Sequence, residues 1–332
     1  MSDLDINMLN EESFDPNEKH EVLSRRERFF IMIKTRKFWT NFLIKLFTYA
    51  VLIDFAFVFL LPFMYMLSTS LMTKIDLTDT FVTWLPKRGI FWENLKLAFP
   101  AMKYSVTFGY TVKFVLIATI GHLFSGITLG YALGRFKFLG RNLVFMLVIF
   151  SMILPVQVLT WPLTFQYIQF ELLNEWAVLL PTFLGLGLNG GIFVFLFRQS
   201  FSGLPKELEE AAMIDGCGIM STFTRVMIPL TGNVSLVTLI LSIVWHWNDY
   251  YEPTAFMLSA DMGGGTLMSI RLLTMGQLGY EGVNVTYSNG EAYAGIQATM
   301  AATLVTLFPL ILFYLVVQKY FMKSVQSTGI KG

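Results

Sequence analysis

The most constraining feature of this sequence is a series of apolar stretches, each long enough to cross a lipid bilayer as a helix. A helix needs about 20 mostly apolar residues to span the roughly 30 Å hydrocarbon core. Because the bilayer offers no water to backbone groups, a chain of this kind must satisfy them within helices. The sequence therefore predicts an all-α integral membrane protein with six transmembrane helices, at about 46–68, 108–133, 142–164, 177–197, 231–251 and 295–319.

The composition agrees with a membrane protein and excludes several other classes. The chain is 55% hydrophobic and only 14% charged, whereas soluble domains carry roughly 25% charged residues. A formal net charge of +1 argues against a nucleic-acid partner, which requires a basic face. The lone Cys217 has no internal disulfide partner, and with only three histidines in the chain we predict no metal site.

Lysine and arginine in the short connecting segments predict the orientation of the chain. Basic residues favour the cytoplasmic side of a membrane, and four groups of them fall on one side of the predicted spans: 25–37, 135–141, 198–225 and 319–331. The loop at 69–107 is also basic, but long loops orient a chain more weakly than tight turns. We therefore expect a multi-pass protein with both termini in the cytoplasm, in which a 1–40 tail precedes a 41–332 transmembrane domain.

The segment 203–230, between the fourth and fifth predicted spans, has more structure than a plain connector requires. Pro205 suits the first position of a helix, and three glutamates follow it where the helix dipole favours negative charge. Gly216 and Gly218 end this first helix, and Ser221 or Thr222 is placed to cap a second one. The sequence predicts a helix, a break and a second helix on the cytoplasmic side.

The first of these short helices has the character of a docking surface. Leu208, Ala211, Ala212 and Asp215 recur with helical spacing, and the adjacent alanines let another surface approach closely. Flanking carboxylates are suited to basic groups on a partner. A helix resting on the membrane is the alternative, but such helices are usually basic on their polar face, and this one is acidic. The pattern favours docking onto a protein.

One spaced pattern and four short runs then carry a family resemblance. Glu210-Ala211-Ala212 is followed after three residues by Gly216, and after nine more by Val226-Met-Ile228-Pro229. This spacing resembles the EAA loop of ABC-importer permeases, in which the pattern is Glu-Ala-Ala, three residues, Gly, nine residues and Ile-x-Leu-Pro. Val226 and Ile228 are mild aliphatic departures. Over about residues 45–332 the chain resembles the carbohydrate-uptake, maltose-type branch of these permeases. Four runs carry this likeness: Tyr131-Ala-Leu-Gly-Arg135, Met152-Ile-Leu-Pro155, Trp247-Asn-Asp249 and Gly329-Ile-Lys-Gly332.

The resemblance implies a type I importer permease in a bacterial cell membrane, which contacts lipid and three kinds of partner protein. A second permease subunit pairs with the chain, two ATP-binding subunits hold ATP and Mg, and an extracellular sugar-binding protein delivers the solute. It also implies that 206–215 is a coupling helix seated in a cleft of an ATP-binding subunit, and that the C-terminal tail reaches the interface of those two subunits. The implied coupling residues are Glu210, Ala211, Ala212, Asp215, Gly216 and Pro229.

The chain shows no phosphate-binding loop and no hydrolase motif of its own. We therefore predict a transporter subunit rather than an enzyme, binding no cofactor itself, with ATP hydrolysis on a partner subunit. A permease for another small solute and an ion-gradient-driven secondary transporter are the alternatives. The second is disfavoured because no internal repeat is evident and Asp54 is the one carboxylate well inside a predicted span.

Polar residues at membrane depth are the candidates for a substrate pathway, because such groups usually face a cavity or another helix. Trp247, Asn248 and Asp249 combine an aromatic ring with amide and carboxylate groups, the chemistry that binds sugars. Gln157 follows a proline that is expected to bend its span. An interfacial aromatic belt or helix–helix hydrogen bonding is the structural alternative for each. The external segment 252–294 is either a disordered linker or an ordered loop that contacts a binding protein.

Overall fold

A computed structural model of the chain describes residues 36–79, 84–257, 266–280, 285–286, 292–293 and 295–329. Most of the predicted cytoplasmic tail at 1–40 lies outside these residues, as do the glycines at 263–265 and the final Ile330-Lys-Gly332. Contacts divide the chain into two units, Met1–Phe63 and Met64–Gly332. The two units are described separately below.

Within the described residues the structure is almost entirely helical, as predicted. The helices up to residue 169 are α1 (Arg36–Ser70), α2 (Lys74–Thr78), α3 (Glu93–Ala101), α4 (Tyr104–Arg135), α5 (Arg141–Ile153) and α6 (Val156–Gln169). The next are α7 (Glu175–Phe183), α8 (Gly190–Gly203), α9 (Glu207–Ile214), α10 (Ile219–Thr222) and, after a π-helical turn at Phe223–Met227, α11 (Ile228–Leu230). The last are α12 (Gly232–Asn248), α13 (Tyr251–Phe256), α14 (Met268–Tyr280) and α15 (Ile296–Gly329). A two-residue antiparallel pair, β1 (Val285–Thr286) and β2 (Ala292–Tyr293), precedes α15.

The first unit is represented by the part of α1 that ends at Phe63. Its side chains from Trp39 onward are exposed or half-exposed, and most of them are apolar. A helix that is apolar on all sides is stable only against lipid or another protein surface. This part of α1 therefore has the character of a membrane-spanning helix.

Helix α4 is the centre of the second unit, and it packs against α7, α8 and α12. Its closest approach is to α8, along glycines spaced four residues apart at Gly126, Gly130 and Gly134. A Cβ added at Gly130 would lie 2.4 Å from the Cβ of Phe197, so no larger residue fits there without moving α8. This is the small-residue spacing by which membrane helices bring their backbones together.

A buried polar seam joins α4 to α12. Thr119 Oγ1 and Ser242 Oγ lie 3.1 Å apart, and one turn further along His122 Nε2 and His246 Nε2 lie 3.0 Å apart. Because a nitrogen–nitrogen contact of this length needs one donor and one acceptor, the histidine pair shares a single proton between its Nε2 atoms. His122 thus bonds to a side chain of another helix and serves helix packing.

The spanning helices are less regular than six uninterrupted stretches. By length and composition, three described helices are long and apolar enough to cross a membrane: Trp39–Ser70, Tyr104–Arg135 and Ile296–Tyr320. Two further stretches are bent pairs, α5 with α6 at 107° and the Ile219–Leu230 stretch with α12 at 70°. The fourth predicted stretch, 177–197, is divided between α7 and α8 by residues 184–189. The count of six spans stays a prediction.

The predicted external loop at 69–107 folds around a buried carboxylate. Asp76 is fully buried, and it accepts hydrogen bonds from the backbone N–H and hydroxyl of Thr73 while pairing with Arg88 at 2.9 Å. Burial of Asp76 opposes its ionisation, but the hydrogen bonds from Thr73 and the contact with Arg88 outweigh it and lower the pKa of Asp76. Asn94 fastens α3 to this region by donating to the carbonyls of Ser70 and Met72.

Candidate functional site

The segment 203–230 forms the predicted helix, break and helix. Helix α9 ends in a Schellman motif, in which the N–H of Gly216 donates to Met213 O and the N–H of Cys217 donates to Ala212 O. Gly216 has a φ of +84°, a backbone conformation that side-chain-bearing residues rarely adopt. The expected break at Gly216 is therefore confirmed, and it has a specific geometric cause.

The expected cap of the second short helix is wrong. Helix α10 begins at Ile219, and its N-cap residue is Gly218 in an extended conformation without a side-chain cap. Thr222 is the last residue of α10 and is buried, and the chain continues from it into the π-helical turn. Ser and Thr favour N-caps, but they are also found inside a helix when packing buries them.

Helix α9 is anchored to the end of α4 by a buried ion pair. Arg135 Nε donates to Glu209 Oε1 at 3.0 Å, with side-chain exposures of 6% and 17%. The other guanidinium nitrogens of Arg135 donate to the carbonyls of Leu204 and Pro205, and the Tyr131 hydroxyl donates to Glu209 at 3.2 Å. All five residues are thereby linked, so the position of α9 is fixed by the second predicted span.

Neither Arg135 nor Glu209 was a candidate site residue in the sequence, where Arg135 indicated only orientation and family. In the sequence, the three closely spaced glutamates at 207, 209 and 210 were equally good candidates for contact with a partner. On a helix, adjacent residues point about 100° apart, and α9 turns Glu209 inward and Glu210 outward. The sequence feature that could have indicated the pair is a basic residue at the end of an apolar span, Arg135, together with an acidic helix later in the chain.

The outward surface of this segment is both acidic and apolar. Glu210, Ala211, Asp215 and Gly216 are exposed, whereas Ala212 is buried against the rest of the chain. Pro229, the sixth predicted coupling residue, is exposed at the start of α11. Large apolar side chains stand beside the acidic ones, and two are mostly exposed: Ile214 at 86% and Met220 at 71%. Met213 and Ile219 add to the same exposed stretch.

The predicted substrate-pathway residues are in different environments. Trp247 is only 6% exposed, its ring lies edge-on to Phe108, and its indole N–H donates to Thr306 O at 3.2 Å. It is a core residue of the described chain. Asn248 is exposed, and its amide donates to Val244 O at 2.7 Å.

Asp249 and Gln157 lie at two breaks in the helices. Asp249 follows the end of α12; its Oδ1 accepts from the N–H of Tyr251, and its Oδ2 is buried without a partner among the described residues. Gln157 is exposed at the start of α6, just beyond the 107° bend. One turn after Gln157, Thr160 contacts the hydroxyl of Tyr251 at 3.3 Å, which links the two breaks.

Glu252 is an unforeseen member of this second region. It lies on α13, three residues after Asp249, and burial followed by the nearby charge of Asp249 raises its pKa to about 8. Two partly buried carboxyl groups thus adjoin each other without a basic partner within 4.0 Å among the residues described. No metal-binding group of three or more ligands occurs in the described part of the chain.

Comparison with known proteins agrees with this architecture. The profile of the family described as "Binding-protein-dependent transport system inner membrane component" matches residues 126–327. A similar solved structure is a bacterial ABC transporter involved in the import of the acidic polysaccharide alginate. Its TM-score is 0.67 at 20% identity, over 90% of this chain and 99% of that one. At this identity the likeness shows the fold, which is that of an importer permease.

Three relatives are permease proteins of transport systems. The arabinooligosaccharides transport system permease protein AraQ of Halalkalibacterium halodurans is 29% identical over 76% of this chain and 79% of its own length. The probable starch degradation products transport system permease protein AmyC of Thermoanaerobacterium thermosulfurigenes is 26% identical over 81% and 91%. The sn-glycerol-3-phosphate transport system permease protein UgpE of Yersinia pestis is 30% identical over 62% and 67%. With the family profile covering more than half of its residues, the chain belongs to the inner-membrane components of binding-protein-dependent ABC importers.

Proposed function

We propose that this chain is a carbohydrate-translocating permease subunit of an ATP-driven importer, and that its solute is an oligosaccharide. Relatives named for arabinooligosaccharide and starch-product transport support the carbohydrate class. The proposed assembly contains a second permease, two ATP-binding subunits and an extracellular binding protein. ATP and Mg belong to the ATP-binding subunits, and both termini of this chain lie in the cytoplasm.

The observation that carries the coupling role is the two-faced surface of α9 and α10. One face is fixed to α4 through Glu209 and Arg135 at 3.0 Å. The other exposes Glu210 and Asp215 next to Ile214 and Met220. Exposed apolar side chains beside carboxylates that form no ion pair among the described residues suit a partner cleft with an apolar floor and a basic rim. We place the ATP-binding subunit there, so that its closure moves α9, and α9 moves α4.

The substrate pathway is proposed at the linked helix breaks. Gln157, Asn248 and Asp249 supply amide and carboxylate groups of the kind that bond to sugar hydroxyls. Trp247 contributes by positioning the end of α12, since its ring is packed and its N–H is bonded to α15. A pathway at broken helices is also the general arrangement in transporters, where irregular backbone lines a cavity.

The test of the substrate class is a thermal-shift screen of the cognate binding protein against oligosaccharides, monosaccharides and sn-glycerol 3-phosphate. Stabilisation by an oligosaccharide supports the proposal, and stabilisation by the phosphate ester alone contradicts it. Uptake of the hit is then measured with the full importer in proteoliposomes. Uptake that requires internal ATP and persists without proton or sodium gradients supports ATP coupling. Uptake driven by a gradient alone would favour the secondary-transporter alternative.

A further inference from the structure

The predicted external loop at 69–107 turns two carboxylates inward and large apolar side chains outward. Asp76 is fully buried, Asp79 is 25% exposed, and both pair with Arg88, at 2.9 Å and 3.2 Å. The residues on either side of Arg88 are instead exposed, and they form an aromatic patch: Trp84, Leu85, Ile90, Phe91 and Trp92. Exposed apolar side chains that adjoin one another mark a surface that contacts a protein or a membrane.

Hydrogen bonds fasten the aromatic patch to the end of α1. The Ser68 hydroxyl donates to Trp84 O, and the N–H of Phe91 donates to Leu71 O at 2.9 Å. Because Ser68 and Leu71 are about one helical turn apart, Trp84 and Phe91 lie beside the same end of the helix. The ring of Tyr65, one turn before Ser68, meets the Trp84 ring edge-on at 6.4 Å. The aromatic patch therefore lies level with the end of α1.

The exposed apolar surface of α1 continues into the aromatic patch. Met64, Tyr65 and Leu67 are exposed in the last turns of α1, and this helix is long and apolar enough to cross a membrane. Trp and Tyr are enriched where the hydrocarbon of a bilayer meets the headgroups, and basic side chains anchor a protein at the same level. Trp84 and the exposed Lys87 supply both kinds of residue at the end of the helix.

Helix α3 presents similar chemistry on one face. Trp92 is its N-cap residue, and Phe99 follows seven residues later, which places both on one side of the helix with Lys96 between them. These three residues are exposed, whereas Ala98 and Ala101 on the other side are buried. Aromatic side chains with a lysine beside them are typical of a helix that lies at a membrane interface.

We propose that the aromatic patch and the Trp92–Phe99 face of α3 insert into the headgroup region of the outer leaflet, as an interfacial anchor. The anchor acts on the external end of α4, because α3 ends two residues before α4 begins. Arg271 Nε donates to Ala101 O at 3.0 Å and fixes that end of α3 to α14. The opposite end of α4 carries α9 through Arg135, so the lipid holds one end of the helix that the coupling segment moves.

The extracellular binding protein and the second permease are the alternative occupants of this surface. Lipid is favoured because the aromatic patch continues the exposed apolar surface of a spanning helix. Its tryptophans and lysine are also the residue types of the headgroup boundary. A binding protein, which approaches from water, does not require the patch to lie level with the end of α1.

The test uses the complete importer in liposomes whose phosphatidylcholine carries bromine near the headgroup end of its acyl chains, since bromine quenches tryptophan emission on contact. The double variant Trp84→Phe/Trp92→Phe is expected to lower the quenched fraction of the emission, because it removes two lipid-exposed tryptophans from the seven in the chain. Trp247→Phe, the matched control, removes a buried tryptophan and is expected not to lower that fraction. An unchanged or higher quenched fraction in the double variant overturns the proposal.

A spin label on Leu85→Cys, in a Cys217→Ser background, separates the three occupants while every tryptophan is kept. A label in lipid is expected to be severalfold more accessible to oxygen than to a water-soluble nickel chelate, with or without the binding protein. Protection from both reagents in the importer alone assigns the aromatic patch to the second permease. Protection that appears only after the binding protein is added assigns it to that protein. Either result, or free access of the nickel chelate, overturns the proposal.

Discussion

The coupling segment at 203–230 and the helix breaks around 247–252 differ in whether their buried or partly buried carboxyl groups are paired with a basic residue. In the first, the partly buried carboxylate Glu209 is paired with Arg135 at 3.0 Å, and the remaining carboxylates face outward. In the second, Asp249 and Glu252 lie partly buried beside each other without a basic partner among the described residues. A paired charge fixes structure, whereas an unpaired buried one costs free energy and is usually retained for a ligand or a proton. We therefore expect the coupling segment to be rigid, and the carboxyl groups at the helix breaks to respond to pH or to a ligand.

Removal of Arg135 is expected to have the largest effect on stability. Arg135→Ala leaves Glu209 partly buried without its partner and removes the donors to Leu204 and Pro205. Breaking one side of such a pair costs about 3–5 kcal/mol. Limited proteolysis is expected to show faster cleavage within 203–230, and uptake is expected to be lost. Lys137→Ala is the control, and equal protection of both variants would show that the pair does not anchor α9.

The unpaired region is expected to respond to pH through Glu252. Its ordinary pKa is 4.5, and burial, then the charge of Asp249, raise that pKa to about 8 in the folded chain. The folded chain therefore keeps a proton that the unfolded chain has lost. The stability from this group is fully present below the unfolded pKa and is lost as pH rises through the folded pKa, by up to about 1.4 kcal/mol per pH unit.

Glu252→Gln is accordingly expected to flatten the pH dependence of stability between about pH 4.5 and pH 8. Thermal midpoints of the purified importer, measured across this range, provide the comparison. Glu207→Gln, at an exposed position of α9, is expected to leave the dependence unchanged. If the Glu252 variant keeps the wild-type slope, the titrating group lies elsewhere.

Substitution of Gly216 is expected to destabilise the chain less than loss of Arg135. Gly216→Val places a branched side chain at a φ of +84°, although no atom lies within 4 Å of the new Cβ. The expected cost of about 1–2 kcal/mol is therefore conformational rather than steric. Gly216→Asn is the control, because asparagine tolerates this conformation. We expect uptake to be lost in the valine variant and largely kept in the asparagine variant, and equal uptake in both would remove the role of the break.

The sequence was sufficient for whatever depends on local pattern and spacing. Apolar runs predicted a helical membrane protein, and Pro205, the glutamates after it and Gly216 predicted the helix–break–helix segment. The pairing of Glu209 with Arg135 was not predictable, because the two residues are 74 positions apart and only the packing of α4 on α8 brings them together. Burial of Trp247 was missed for a related reason. An aromatic residue near a span end has the same sequence signature whether its ring faces lipid, substrate or α15.

Substitution of Glu210 is expected to abolish transport while leaving stability almost unchanged, which separates docking from anchoring. Glu210 is exposed, and surface changes of this kind usually alter stability by no more than about 0.5 kcal/mol. Glu210→Lys reverses a charge on the surface that we assign to the ATP-binding subunit, so uptake and subunit co-purification are expected to be lost at normal membrane levels. Glu209→Lys, one residue earlier, instead disrupts the Arg135 pair and is expected to lower the thermal midpoint as well. Neighbouring glutamates thus separate docking from anchoring: if Glu210→Lys transports normally, α9 does not meet a basic partner through this face, while the anchoring role of Glu209 is unaffected.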